Sequence, residues 1–174
     1  MTPLENTKAM LLDFKGNRNY IAFSKMAIQN KEHLKNMLEL CLTVKYPFPQ
    51  YSSWLLSHVG ENHLNELLPY HHQIIDVFLN CTEFSTQRNL ANTILKLPET
   101  NYRDGEMLEY LFQFLLNSET KVALKAYAMY LLIPLVKPYP ELIRELKLVL
   151  DARLEFESKA FSGAVKKVVR MLDK

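Results

Sequence analysis

Paired amphipathic helical segments recur along this chain, and their recurrence constrains the fold more than any single motif does. Within a segment, apolar residues return at intervals of three and four, as Leu34, Met37 and Cys41 do. That spacing places the apolar side chains along one face of an α-helix. Strand-like alternation is scarce, and the chain's 4 glycines are too few for a turn-rich β-sandwich. The sequence therefore predicts an all-α fold.

The predicted helices come in pairs, and we call the first member of each pair A and the second B. The A segments are Lys31 to Thr43, Glu61 to Asn80, Arg103 to Ser118 and Pro140 to Glu155. The B segments are Gln50 to Gly60, Ser85 to Lys96, Glu119 to Leu132 and Glu157 to Lys174. Residues 1–19 are expected to cap the first pair and to end in a turn. The whole chain, residues 1–174, is expected to be a single domain.

The pairs repeat with a period in the mid-thirties. Ala91 and Ala126 hold equivalent places in two B segments and lie 35 residues apart. A period of this length that contains two helices is the signature of an α-solenoid. We therefore predict an α-solenoid of roughly four helix pairs. An irregular helical bundle with chance internal similarity is the alternative.

Polar and small residues mark the ends of several predicted helices. Short polar side chains that can accept a hydrogen bond from an unpaired backbone N–H lie near the predicted starts; they are Asn30, Ser85, Asp104, Ser118 and Ser158. Pro140 suits the first turn of a helix, because proline lacks the N–H that would be unpaired there. Gly60 suits a C-terminal cap.

Three segments carry a resemblance to a known family. They are Gln50 to Val59, Lys121 to Met129, and the stretch that begins Ser158-Lys159-Ala160-Phe161. Each resembles the B helix of a HEAT repeat, and their order is similar to that in a group of small bacterial HEAT-like proteins. The resemblance covers residues 20–174 and implies A helices on the convex face and B helices on the concave face. Some members of the group carry the label adenylosuccinate lyase, so the resemblance also implies a lyase-type enzyme as an alternative function.

The charges are divided unevenly between the two kinds of segment. The A segments hold six basic and twelve acidic residues, and the B segments hold nine basic and three acidic, although the net charge of the chain is only +2. That total is too small for indiscriminate binding to polyanions. With the B helices on the concave side, however, that side would be basic and would favour an acidic partner. A solvated basic last helix, which holds five of the nine, is the alternative explanation.

These features predict a non-catalytic scaffold that binds an acidic protein segment on the face formed by the B helices. The residues expected to contact that segment are Arg88, Asn92, Lys121, Lys125, Lys166, Lys167 and Arg170. A nucleic-acid-binding protein of the DNA-alkylation-repair type, which has a HEAT-like fold as well, is an alternative. The resemblance implies that such a protein needs a basic, aromatic-lined cleft, and Trp54 is the sole tryptophan of this chain.

The sequence offers no motif for catalysis or for a cofactor. GxSxG, P-loop and GxGxxG patterns are all lacking, so no catalytic residue and no cofactor are predicted. His58 and His63 flank Gly60, and His72 lies one helical turn before Asp76. These side chains are of types that bind zinc. Without an HExxH or paired-cysteine motif, the prediction is a polar helix surface and no metal, and a metal-dependent enzyme is the remaining alternative.

Membrane and secretion signals are also lacking. No run of about 18 apolar residues is present, and the first residues lack the basic stretch and apolar core of a secretory signal. We therefore expect no membrane span and a cytoplasmic location. Cys41 and Cys81 each fall inside an apolar helical pattern, which predicts two buried, unpaired thiols that behave as small hydrophobic residues.

Overall fold

The computed structural model describes all 174 residues and contains ten α-helices and no strand, so the all-α class is confirmed. The helices are α1 (Pro3–Asn17), α2 (Tyr20–Gln29), α3 (Lys31–Cys41), α4 (Phe48–Asn62), α5 (His71–Asn80), α6 (Phe84–Ile94), α7 (Asp104–Leu116), α8 (Val122–Val136), α9 (Pro140–Arg153) and α10 (Lys159–Leu172). None of them combines the length and the hydrophobicity that crossing a bilayer requires.

The helices form five A–B pairs, one more than the sequence predicted, and the two helices of every pair contact each other, as in an α-solenoid. The additional pair is α1 and α2, so the predicted capping segment is itself mostly helix. Arg18 ends α1 in the left-handed conformation, at φ 57°. Asn19 then caps α2 by accepting a hydrogen bond from the backbone N–H of Ala22. The sequence did not reveal α2 because its ten residues are mostly apolar and lack a clear polar face.

Two of the predicted N-terminal caps are confirmed. Asn30 accepts a hydrogen bond from the N–H of Glu32 at the start of α3, and Ser158 caps α10. The other three predicted caps (Ser85, Asp104 and Ser118) do not have this role. At α6 the carboxylate of Glu83 is the cap instead, since it accepts from the backbone N–H of Thr86 at 2.7 Å.

The second predicted A segment is not one continuous helix. The chain leaves α4 two residues after Gly60, which therefore lies inside that helix and is not its C-terminal cap. Two 3₁₀ turns follow, at Leu64–Glu66 and Leu68–Tyr70, before α5 begins. Pro69 explains the interruption, because proline cannot donate a helical hydrogen bond and disfavours helical geometry in the preceding residue.

The chain divides into two compact units, residues 1–98 and 99–174. Unit 1 contains α1 to α6. In it, consecutive A helices pack on one another, consecutive B helices do the same, and α3 and α5 each contact the B helix that follows. Its core is built from side chains that are almost completely buried, among them Leu11, Phe14, Leu34, Met37, Leu38, Leu55, Leu56 and Phe78. Each such side chain contributes about 1.5–3 kcal/mol through burial.

Unit 2 contains α7 to α10, with α8 at its centre. This helix contacts α7, α9 and α10, which agrees with its nearly all-apolar sequence, since a helix without a polar face must be covered on several sides. It begins at Val122 and continues through Pro134. The core of the unit includes Leu111, Leu115, Leu132, Leu146, Leu150 and Phe161.

The two helix layers differ in how tightly they pack. In each unit the B helices contact one another more extensively than the A helices do. Closer approach on one side is the arrangement expected when that side is the inner one. This difference supports the placement of the B helices on the concave side within each unit.

Candidate binding surface on the B helices

In unit 2, basic side chains cover one whole face of α10. We call this surface the basic face of α10; it consists of Lys159, Lys166, Lys167, Arg170 and Lys174, all of them exposed. The opposite face of the helix is buried and apolar, with Phe161, Val165, Val168 and Leu172. None of the five cations forms an ion pair or a side-chain hydrogen bond. Their charges are therefore available to a partner.

Lys121 is exposed immediately before α8 and has no ionic partner either. One turn further along α8, the side chain of Lys125 reaches Glu157, which lies two residues before the start of α10. The beginnings of α8 and α10 therefore lie at the same end of unit 2. Lys121 is thus near the end of the basic face at which Lys159 lies.

Lys125 departs from the expected site, because its side chain is 0% exposed and its ammonium is bonded to the carboxylate of Glu157. Arg153 donates to the same carboxylate oxygen at 2.9 Å. Burial alone would raise the pKa of Glu157, but the hydrogen bonds and charges of Lys125 and Arg153 outweigh it and hold that pKa below its ordinary value. Lys125 belongs to the core of unit 2, and the candidate surface is corrected to exclude it.

The buried position of Lys125 has a signal in the sequence. Ala128 and Met129 follow it by three and four residues, and both are fully buried. A helix places residues at these spacings on one face. The charge count overlooked this spacing and assigned every lysine of the B segments to the solvent.

In unit 1 the expected site residues are Arg88 and Asn92 of α6, and both are partly exposed. The Nη2 of Arg88 lies 3.4 Å from Oδ1 of Asn89, so its charge has no acidic partner. Asn92 is engaged within the fold, since its Nδ2 donates to Oγ of Ser57 in α4 at 2.8 Å. One N–H of its amide therefore joins two B helices, and its second N–H and its carbonyl oxygen remain for a partner.

Asn92 is one of three side chains of α6 and its C-terminal end that bond to α4. We call these contacts the α4–α6 ladder; they are Asn89 to Ser53 at 3.1 Å, Asn92 to Ser57 at 2.8 Å and Lys96 to Glu61 at 3.2 Å. The bonded residues are 36, 35 and 35 positions apart. The period found in the sequence thus corresponds to direct contact between successive B helices, and the ladder fixes their register.

Beside the ladder, the B face of unit 1 is aromatic rather than basic. The ring of Tyr20 stacks on His58, with 4.4 Å between centroids and an interplanar angle of 17°, and Trp54 lies 5.7 Å from the same imidazole. His58 Nδ1 is 3.0 Å from Oε2 of Glu61. Burial alone would raise the pKa of Glu61, but its bonds to His58 and Lys96 outweigh this and lower it. Among the B helices, most of the unpaired cations therefore belong to unit 2.

Potential metal ligands and thiols contribute no further site. No group of three or more His, Cys, Asp or Glu side chains is arranged to hold a metal ion. Cys41 and Cys81 form no disulfide and are buried, as predicted. Burial raises the pKa of the Cys81 thiol to about 12 and that of Cys41 well above its ordinary value. Because the thiolate is the reactive form, neither cysteine is a nucleophile at neutral pH.

A second charged surface of unit 2 lies on α9. We call it the acidic face of α9; its exposed carboxylates are Glu141, Glu145 and Asp151, and Glu155 follows just after the helix. None of these carboxylates forms an ion pair. Leu148 lies among them with 70% of its side chain exposed, and Arg144 is the one exposed cation of this helix. The excess of acidic residues in the A segments predicted the negative charge of this face. The sequence did not predict that Leu148 is exposed.

Paired helices that repeat every 35 residues and expose charged side chains define a helical-repeat protein. The family model described as HEAT repeat domain matches residues 8–174, and the chain belongs to that family. Comparisons with curated proteins and with solved structures gave no match. HEAT repeats commonly mediate protein interactions, so the fold is of the kind that serves as an interaction scaffold.

Proposed function

We propose that this chain is a non-catalytic interaction scaffold and that its unit 2 binds an acidic protein segment. The observation that carries the proposal is the set of exposed, unpaired cations Lys121, Lys166, Lys167 and Arg170, which Lys159 and Lys174 extend. The exposed carboxylate beside this set, Asp173, is neutralised by Lys147 at 2.6 Å. Arg88 and Asn92 in unit 1 stay predicted contacts of a partner.

The energetics favour a segment over a single acidic residue. One exposed ion pair contributes only about 0–1 kcal/mol, so a useful affinity needs several contacts along the helix. The 14 residues of α10 extend over about 21 Å, which an extended or helical acidic segment can follow. Arg170 can bind a carboxylate through two parallel hydrogen bonds, whereas the lysines act as point charges. The net positive field also accelerates encounter with an acidic partner.

A titration with a fluorescein-labelled Glu/Asp-rich peptide tests the proposal. The test variant is Lys166→Glu with Lys167→Glu. The matched control is Lys25→Glu with Lys31→Glu, which changes the net charge equally at exposed, unpaired lysines of unit 1. We expect the test variant to weaken binding at least about tenfold, or 1.4 kcal/mol, with an unchanged circular dichroism spectrum. Equal affinities of the test and control variants would show that the basic face of α10 is not the site.

Nucleic-acid binding is the second candidate, and the aromatic side chains of Tyr20 and Trp54 in unit 1 favour it. Tyr20 and Trp54 lie on B helices of the unit that also carries Arg88, and Tyr20 is 42% exposed; single-stranded nucleic acids bind to cations together with exposed aromatic rings. A single-stranded oligonucleotide in the same titration separates the two functions. Tighter binding than the peptide, a steep loss of affinity with salt and a further loss in Arg88→Ala would replace the proposed function with this one.

The enzymatic alternatives and the cytoplasmic location stay predictions. A lyase-type or metal-dependent enzyme would show turnover of adenylosuccinate, or stoichiometric metal in purified protein by elemental analysis. The cytoplasmic location is testable by fractionating the source cells and probing for the chain. Neither measurement depends on the peptide titration.

A further inference from the structure

The acidic face of α9 has an apolar centre. Leu148 is 70% exposed, so this side chain contributes little to the stability of unit 2. Glu145 and Glu141 precede it by three and seven residues, and Asp151 follows it by three. These spacings place the four side chains along one side of the helix. The face is therefore a row of carboxylates around one protruding leucine.

The basic face of α10 has no side chain at its centre. Gly163 is exposed in the middle of the helix, and a Cβ built on it would meet nothing within 4 Å. Glycine in a helix interior costs about 0.8–1.0 kcal/mol relative to alanine, and no contact within unit 2 compensates that cost. Lys166 and Arg170 follow Gly163 by three and seven residues, and Lys159 precedes it by four.

The two faces match in length, charge and spacing when the helices run antiparallel. Both helices have 14 residues. If Leu148 of one helix packs over Gly163 of the other, the equal spacings of three and seven residues bring opposite charges together. The resulting pairs are Glu145 with Lys166 and Glu141 with Arg170. Asp151, three residues after Leu148, comes near Lys159, four residues before Gly163.

We infer that a second copy of this chain docks the acidic face of its α9 antiparallel onto the basic face of α10, with Leu148 seated over Gly163. The inference rests on the proposed function, because the same cations would recognise the acidic surface. Opposite charges favour this contact, and the leucine adds buried apolar area. The contact joins two different faces, so a dimer keeps one unused acidic face and one unused basic face, and assembly can continue past it. A soluble acidic partner would compete with this assembly for Lys166 and Arg170.

Sedimentation equilibrium of the full chain is the first test. At low salt we expect the average mass to rise with protein concentration. In about 1 M salt, where the Debye length is about 3 Å, we expect monomer. A wild-type chain that stays monomeric at low salt and high concentration overturns the inference.

A pair of charge-reversed variants tests the geometry. Lys166→Glu with Arg170→Glu reverses two charges of the basic face, and Glu141→Lys with Glu145→Lys reverses two charges of the acidic face. Each variant alone should be monomeric, because the residues that would pair across the contact (145 with 166 and 141 with 170) then carry the same sign. Mixed together, they should assemble past the dimer, because both faces of one variant then meet the opposite charge on the other variant, and a chain with all four changes should assemble again. Assembly by either double variant alone, or a mixture that contains only monomers, contradicts the docking.

The variant Glu141→Lys with Glu145→Lys separates this inference from the proposed function. It keeps the basic face of α10 and should bind the acidic peptide at least as well as the wild type. Retained peptide binding by a wild-type chain that does not assemble would refute the docking and leave the proposed function in place. Assembly without peptide binding would refute the proposed function and keep the contact between copies.

Discussion

The ammonium of Lys125 is bonded to the carboxylate of Glu157 in the interior of unit 2, where the two side chains are 0% and 8% exposed. Arg153 donates to the same oxygen and is 20% exposed. The contacts connect α8, the end of α9 and the entry to α10 around one carboxylate. They therefore fix the start of α10, the helix that carries the basic face, relative to the end of α9.

Lys125→Ala is expected to lower the free energy of unfolding by up to about 3–5 kcal/mol, because the buried carboxylate of Glu157 then keeps Arg153 as its only cation. Far-UV circular dichroism during urea denaturation measures this change. The control is Lys121→Ala, one turn earlier and exposed, for which an effect within about 0.5 kcal/mol is expected. Equal effects of the two substitutions would mean that the Lys125–Glu157 pair is solvated.

Because of the same carboxylate, the stability of unit 2 should depend on pH in the acidic range. The pKa of Glu157 is lowered in the folded chain, so the unfolded chain takes up the proton first as the pH falls. Stability from this group is present above about pH 4.5, the ordinary pKa, and is lost as the pH falls towards the lowered folded value. Urea midpoints from pH 5 to 3 should fall less steeply in Glu157→Gln than in the wild type. Parallel profiles would assign the acid sensitivity to other carboxylates.

The fold was predictable because helical periodicity and the 35-residue period are local and repetitive signals. The α4–α6 ladder shows why the period exists, since Ser57 and Asn92 are bonded to each other and lie 35 residues apart in sequence. The missed elements lack such signals. In α2 no polar face marks the helix, and around Pro69 the interruption follows from one residue inside an otherwise helical pattern.

The candidate surface was predictable only in part, because charge counts do not distinguish exposed from buried lysines. Lys166 and Lys167 lie opposite the apolar stripe of α10 and face solvent. Lys125 has the same charge but lies on the buried side of α8, where a carboxylate contributed by the following helix pair compensates it. A contact across 32 residues is a tertiary feature and has no local sequence signal.

The ladder makes a prediction for Asn92 that differs from that for a binding residue. Its Nδ2 donates to Ser57 at 2.8 Å, so Asn92→Ala and Ser57→Ala should each reduce stability. A double-mutant cycle with urea denaturation should give a coupling of about 0.5–1.5 kcal/mol. Lys25→Ala, at an exposed position of α2, is the uncoupled control when combined with Ser57→Ala. A coupling near zero for the first pair would show that the hydrogen bond adds nothing to the packing of α4 on α6.

Unit 1 should lose stability when the pH falls below about 6.5, the ordinary histidine pKa. His33 Nδ1 lies 2.8 Å from Oγ1 of Thr7, to which Asn36 also donates, and burial lowers the pKa of His33 in the folded chain. The unfolded chain therefore binds the proton first, and stability declines from pH 6.5 towards the lowered folded value. The slope is at most about 1.4 kcal/mol per pH unit for this group.

Urea denaturation of unit 1 between pH 7.5 and 5.5 measures this decline, with the fluorescence of Trp54 as the signal. His33→Gln should flatten the profile. His71 contributes in the same direction, because burial and the neighbouring His72 lower its pKa as well, so some slope should persist. An unchanged profile in His33→Gln would exclude His33 as a source of the decline.

Phe14 tests whether α1 is an integral part of unit 1. Its side chain is 0% exposed, and its ring centroid lies 5.3 Å from that of Phe23 and 5.1 Å from that of Trp54. Phe14→Ala should therefore cost about 3–5 kcal/mol, as expected for removing a buried phenylalanine, and should shift the emission of Trp54. Leu12→Ala, two residues earlier and 49% exposed, should change stability by no more than about 0.5 kcal/mol. Urea denaturation followed by Trp54 fluorescence compares them, and a Phe14→Ala effect as small as that of Leu12→Ala would show that unit 1 folds without the support of α1.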